Sequence, residues 1–201
     1  MKRYRIKKEI RNEFFFQIIY GLFYPAVLGT ILVYVMQDAL SSSLFKSGIF
    51  PVISLFCLVW YFVLDFYVGF TNFKGDDKNY DLRYTFCDIV VIIAAFIAYY
   101  GLWLSHLEFL FFIAVSIISW TLILLDYYDT VDVNEKFEFS SSYDLMLLIF
   151  GIVSFGMSIV SLTIPQSLFY IISKNLFIVL TSAGILYYTF YILSEESYEL
   201  E

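Results

Sequence analysis

The sequence predicts an all-α integral membrane protein, a bundle of about six transmembrane helices (four to six) with short cytoplasmic loops of β-hairpin character. Three observations predict it. Hydrophobic residues make up 61% of the 201 residues and charged ones only 15%, against roughly 25% charged in soluble domains. Mean hydropathy is +0.78, so water is not the only solvent. Finally, a hydrocarbon core of about 30 Å takes roughly 20 apolar residues per helix, and stretches of that kind recur along the whole chain. No Pro-, Gly- or Ser-rich linker divides the sequence, which predicts one domain over residues 1–201.

In order, the predicted spans are residues 14–36, 49–70, 85–104, 107–125, 145–164 and 176–193. The first is too long for a signal-peptide core and no small-residue cleavage site follows it, so it reads as a helix of the mature protein. Pro25, with Gly21 and Gly29 beside it, predicts a kink there, because proline removes a helix hydrogen bond. The run from Thr85 to Leu125 is too long for one span. Only Ser105, His106 and Glu108 mark a reversal, which places a tight turn between the third and fourth helices.

Lysine and arginine set the expected orientation. Six of the 12 lie in MKRYRIKKEIR before the first span, and Lys74, Lys78 and Arg83 lie between the second and third. The positive-inside rule puts both segments in the cytoplasm, and six spans then return the C-terminus there. The expected location is a bacterial inner membrane with both termini cytoplasmic. The basic start reads as topogenic charge beside anionic lipid rather than as a nucleic-acid site.

Two cytoplasmic connections share a frame, D-[FY]-Y…Y-D-L: Asp65-Phe66-Tyr67 with Tyr80-Asp81-Leu82, and Asp126-Tyr127-Tyr128 with Tyr143-Asp144-Leu145. Such a frame is consistent either with duplication of a helical hairpin or with chance in a chain of 18 tyrosines. The second connection, DYYDTVDVNEKFEF, carries Asp126, Asp129, Asp132, Glu135 and Glu138 at every third position. A beat of three suits neither an α-helix nor a long 3₁₀ helix. Val131, Val133, Phe137 and Phe139 alternate instead with Asp132, Asn134, Lys136 and Glu138, a strand period that predicts a small hairpin or extended arm. YVGFTNFKGDDKNYDL is expected to form its counterpart. An exposed edge of that kind is a template for pairing. Asp126, Asp129, Asp132, Glu135, Phe137, Glu138 and Phe139 are therefore the candidate docking residues, and with the acidic tail SEESYELE they suit a basic cytosolic protein and repel nucleic acid.

Asp81 and Asp144 stand where helices begin, where the macrodipole favours a carboxylate. Asp65 and Asp126 are expected at helix C-terminal ends, where the same dipole disfavours them. Asp65 and Asp88 are the intramembrane polar candidates; an acid within a span is by default a functional lead. For Asp88 the competing use is structural, reaching the interface or accepting a hydroxyl hydrogen bond. Gly151, Ser154, Ser158 and Ser161 form one face of the fifth span, and Ala94, Ala98 and Gly101 one face of the third. Stripes like these serve close helix packing.

The chemistry that the sequence does not offer narrows the function. His106 is the single histidine, and Cys57 and Cys87 are isolated. There is no zinc spacing, P-loop, GxGxxG, GxSxG or HExxH. His106 with Glu108 makes too small a set for a metal, and DVNEKF lacks the EF-hand pattern. No catalytic residue, cofactor or metal ligand is predicted, and the chain is read as non-enzymatic. The predicted spans contain no lysine, arginine or histidine, which predicts neither a basic proton relay nor a voltage sensor. Aromatic residues at 22% leave wide surfaces for membrane lipid or for a second copy, so a homo-oligomer is expected.

In layout, a small aromatic-rich multi-pass chain with a basic start and acidic cytoplasmic loops resembles the membrane subunits of bacterial anti-phage systems, most of all the Kiwa membrane component. The resemblance implies an oligomeric inner-membrane protein that senses envelope perturbation and works with a cytosolic DNA-binding partner. It rests on architecture alone and carries over no residue. The six-span substrate-binding component of a vitamin transporter is similar in size, but a small-residue coupling face is expected on its first span, where this chain has only Gly21, Ala26 and Gly29. The function expected is thus a docking or regulatory membrane subunit, with a small-solute or ion transporter as the alternative.

Overall fold

The computed structural model describes residues 14–41, 49–75, 80, 82–104, 107–132 and 142–199. Among them the chain is helical with no strand: a π-helical turn Ile19–Phe23 leads into α1 (Tyr24–Ser41), followed by α2 (Ile49–Gly75), α3 (Leu82–Trp103), α4 (Glu108–Asp132), α5 (Ser142–Thr163) and α6 (Leu168–Glu199). Six stretches among the described residues are long and apolar enough to cross a membrane: Phe14–Val33, Ile49–Phe70, Leu82–Leu102, Glu108–Tyr128, Asp144–Thr163 and Leu168–Phe190. In hydrocarbon every backbone N–H and C=O must find its partner within the segment, which a helix provides. The fold is an all-α multi-pass bundle.

Local chemistry sets the element ends. Pro165 disfavours the helical conformation at the residue before it, and α5 stops at Thr163. Ser167 then starts α6: its hydroxyl accepts the Tyr170 backbone N–H at 3.0 Å, an N-cap. The sixth helix therefore begins two turns before the predicted Leu176, and Lys174 lies within a span, as does Arg83 at the start of the third. Both correct the expectation of spans free of basic residues. The reversal between α3 and α4 falls where predicted, with the Leu107 N–H donating to the Leu104 carbonyl at 2.7 Å.

Several helices outrun their apolar spans. α2 continues to Gly75 and α4 to Asp132. Tyr67 to Phe73 are thus helical rather than an extended arm, and Val131 and Asp132, the expected start of the second hairpin, are the last residues of α4. Asp65 and Asp126 are correspondingly not at helix ends, and the dipole penalty expected there does not apply. Helix propagation needs only the next backbone hydrogen bond, so it carries polar residues past the point where hydropathy falls. Glu135, Phe137, Glu138 and Phe139 lie outside the described residues, as do the side chains of Asp129 and Asp132.

The helices pack in a circuit: α1 lies on α2 and α3, α3 on α4, α4 on α5, α5 on α6, and α6 back on α2. The α3–α4 and α4–α5 contacts are by far the most extensive, whereas α2 and α3, though consecutive, touch little. The two hairpins that share the D-[FY]-Y…Y-D-L frame thus pack differently. Small residues explain the tight pairs. Ala94, Ala95, Ala98 and Gly101 of α3 are buried, and so are Gly151, Ser154 and Ser158 of α5. Ser116 of α4 donates to the Gly151 carbonyl at 2.9 Å, and a Cβ at Gly151 would collide with the Trp120 ring. Ser161, the last of that stripe, is only half-buried. At the end remote from the acidic connections, Phe50, Phe111, Phe112 and Phe177 pack edge to face, the Phe112 and Phe177 centroids 5.2 Å apart at 79°, a favoured aromatic geometry.

Candidate functional site

The first helix carries an irregularity that builds the site. Pro25 has no N–H to return to Gly21 and its ring crowds that turn. The preceding residues widen into a π turn, closed by the Tyr24 N–H donating to the Ile19 carbonyl. Single π turns recur at functional sites. Here the turn presents Tyr20 and Tyr24 side by side, rings parallel within 6° and centroids 5.0 Å apart. Tyr24 stacks in turn on Phe62 of α2 at 4.6 Å. Gly69 makes room for Tyr20, whose hydroxyl occupies the space that a Cβ would take.

Against this stack the fold brings two carboxyl groups from different helices. Tyr24 donates its hydroxyl to Oδ2 of Asp65 on α2, with the Tyr61 hydroxyl also beside that carboxyl group. Tyr80, just before α3, donates to Oδ2 of Asp88 at 2.5 Å, and Tyr20 is a second hydroxyl partner of Asp88. The two acids are near enough to interact electrostatically. Asp88 lies six residues into α3 and is only 4% exposed, deeper than the sequence suggests, and it does accept the hydroxyl hydrogen bond weighed for it. Burying a carboxylate is costly unless donors compensate it; here they are phenols. Burial, and next the Asp88 carboxylate, push the Tyr80 phenol well above its ordinary value, so Tyr80 remains a donor across the physiological range.

Asp65 and Asp88 were legible as intramembrane acids, but their convergence was not, and neither were the tyrosines that bind them. The Y-D-L frame did flag Tyr80. Asp126 lies on the last apolar stretch of α4, half-buried. Near it, Arg83 stands 5.1 Å from the centre of the Tyr128 ring, and Tyr84 meets the same ring edge-on at 6.4 Å, tying the start of α3 to the end of α4. Asp144, in the first turn of α5, is buried at 1% exposure. Among the described residues no group of three or more His, Cys, Asp or Glu is placed to hold a metal ion. Cys57 and Cys87 are both free and buried.

These features define a multi-pass helical membrane protein with a tyrosine-bonded carboxyl pair inside one end of the bundle. No protein-family profile matches the chain, and neither a curated protein nor a solved structure shows significant similarity to it.

Proposed function

We propose that this protein is a non-enzymatic membrane subunit that docks and regulates a basic cytosolic partner through its acidic connections. The carrying observation is that α4 runs without a break from its apolar span, which ends at Tyr128 with Asp126 inside it, into the turn bearing Asp129 and Asp132. A continuous helix is a rod, so a shift or tilt of the span in the bilayer moves the acids outside it. α2 and α6 extend past their spans at the same end. In this reading the stimulus is a disturbance of the surrounding bacterial inner membrane, as in the anti-phage subunits that the chain resembles in layout, and nucleic acid is met only through the partner. The test is affinity purification from native membranes: a stoichiometric cytosolic protein is recovered with the native chain and lost when Asp132, Glu135 and Glu138 become lysine. Unchanged recovery with the lysine variant counts against the acidic connection.

A second reading, transport of a proton or other small cation, is favoured by one observation, the convergence of Asp65 and Asp88 within the spans. Paired intramembrane acids mark ion pathways in other membrane proteins. In liposomes, a cation flux abolished by Asp88→Asn would favour this reading over docking.

A further inference from the structure

At the end of the bundle remote from the acidic connections, the first residue of α4 meets the second turn of α6. Lys174 Nζ lies 3.1 Å from both carboxylate oxygens of Glu108. Tyr170 donates its hydroxyl to Glu108 Oε2 at 2.5 Å, and Ser161 of α5 is hydrogen-bonded to the same phenol. The ammonium also sits 4.6 Å from the centre of the Phe50 ring. An ion pair this well built could be a simple clasp between helices, but it is not sealed: the Lys174 and Glu108 side chains keep 20% and 17% of their surface exposed. They face a recess of about 510 Å³, roofed by the Pro165–Gln166 turn. That volume lies within the roughly 300–1,000 Å³ of small-ligand sites.

We infer that Glu108, Tyr170 and Lys174 form a site for a zwitterion, a group carrying an ammonium and a phosphate or carboxylate together, and that the occupant is a phosphoethanolamine-type lipid headgroup. The charges at the site cancel, so a ligand of one sign gains from one partner and is repelled by the other. A zwitterion satisfies both. An ammonium has three donor protons and an ionised carboxylate about four acceptor positions. Two Lys174 hydrogen bonds go to Glu108 and the ammonium rests against the Phe50 ring, so an anion in the recess would take the remaining N–H in place of the weaker ring contact. Glu108, which accepts from Lys174 and Tyr170, retains acceptor capacity for a second ammonium. The lipid source follows from position: Glu108 and Leu168 are span ends, and the recess wall includes Leu162 and Ile171, exposed at 58% and 47% on the outer surface of the bundle. Acyl chains attached to a headgroup in the recess can lie along α5 and α6.

The test is native mass spectrometry of the full chain, solubilised from a defined mixture of phosphatidylethanolamine and phosphatidylglycerol and delipidated stepwise. The native chain is expected to retain phosphatidylethanolamine at least several-fold over phosphatidylglycerol. The neutral double variant Glu108→Gln/Lys174→Met should lose that preference. Leu162→Trp, which fills the recess and leaves the ion pair intact, should lose it too, so failure of one variant to fold does not remove the test. No preference in the native chain, or a preference kept in both variants, overturns the site. Displacement of the bound lipid by millimolar free phosphoethanolamine supports headgroup recognition. Binding of glycine without any phosphatidylethanolamine preference likewise overturns the lipid headgroup as the occupant.

Discussion

Gly101 of α3 lies so close to the backbone N of Phe111 on α4 that a Cβ added to it would collide with main chain rather than with a movable side chain. Gly29 of α1 has nothing within 4 Å of such an atom. Gly101→Ala is therefore expected to destabilise by about 1–3 kcal/mol, the usual cost of overpacking. Gly29→Ala should be neutral or stabilising by up to about 1 kcal/mol through helix propensity. Thermal unfolding of the two variants in one detergent compares them, and equal stabilities would mean that α3 and α4 do not cross this tightly.

Tyr80→Phe removes the donor to Asp88 and leaves a buried acceptor short of a partner, a loss of about 1–3 kcal/mol near neutral pH. The pH dependence has a definite sign. The folded phenol is raised by burial and by Asp88, while in the unfolded chain it ionises near about 10. Its stabilising contribution is complete below that value and declines above it, because only the unfolded state then releases the proton. The stability gap between native chain and Tyr80→Phe should narrow from about pH 8 to about pH 10.5, and a gap that widens would contradict the assignment.

Pro25→Ala restores a donor at the residue that forces the π turn. The turn can then tighten to an α-helix, and removing the extra residue per turn rotates the preceding segment by about 100°. Tyr20 should leave its stack on Tyr24, and Asp88 should lose one hydroxyl. The expected readout is weaker near-ultraviolet dichroism with far-ultraviolet helicity unchanged; an unaltered near-ultraviolet spectrum would show that the turn does not depend on the proline.

Only 17% of the α6 span and 28% of the α5 span are buried within the chain, against 61% for α3. The bare faces carry Ile149, Ile152, Phe155 and Ile159 on α5 and Val179, Leu186 and Phe190 on α6. A second copy is expected to cover part of this surface, giving a homo-oligomer by mass measurement in mild detergent. Recovery of monomer alone would sink the prediction.

Hydropathy made six helices legible because a bilayer imposes both length and backbone satisfaction on every span. It misjudged the ends for an equally physical reason: a serine cap at Ser167 or continued backbone bonding past Asp126 leaves no hydropathic trace. The small faces at Ala94, Ala98 and Gly101, and at Gly151, Ser154 and Ser158, follow from helical spacing and are buried in the fold. The acid pair is different. Tyr24 and Asp65 are 41 residues apart, and no periodicity links a π turn in one helix to a carboxyl group in another. Even the shared Y-D-L frame, which pointed at Tyr80, placed its aspartate at position 81 rather than at Asp88.

The sparse contact between α2 and α3 has a consequence for biogenesis. The first helix rests on both, and the phenols of Tyr20 and Tyr24 bond acids borne one on each. During synthesis that helix enters the bilayer before either neighbour exists, and it must wait there until Asp88 has been inserted. Of these three helices the one made earliest is thus the last to be seated, a keystone set after the stones it holds apart.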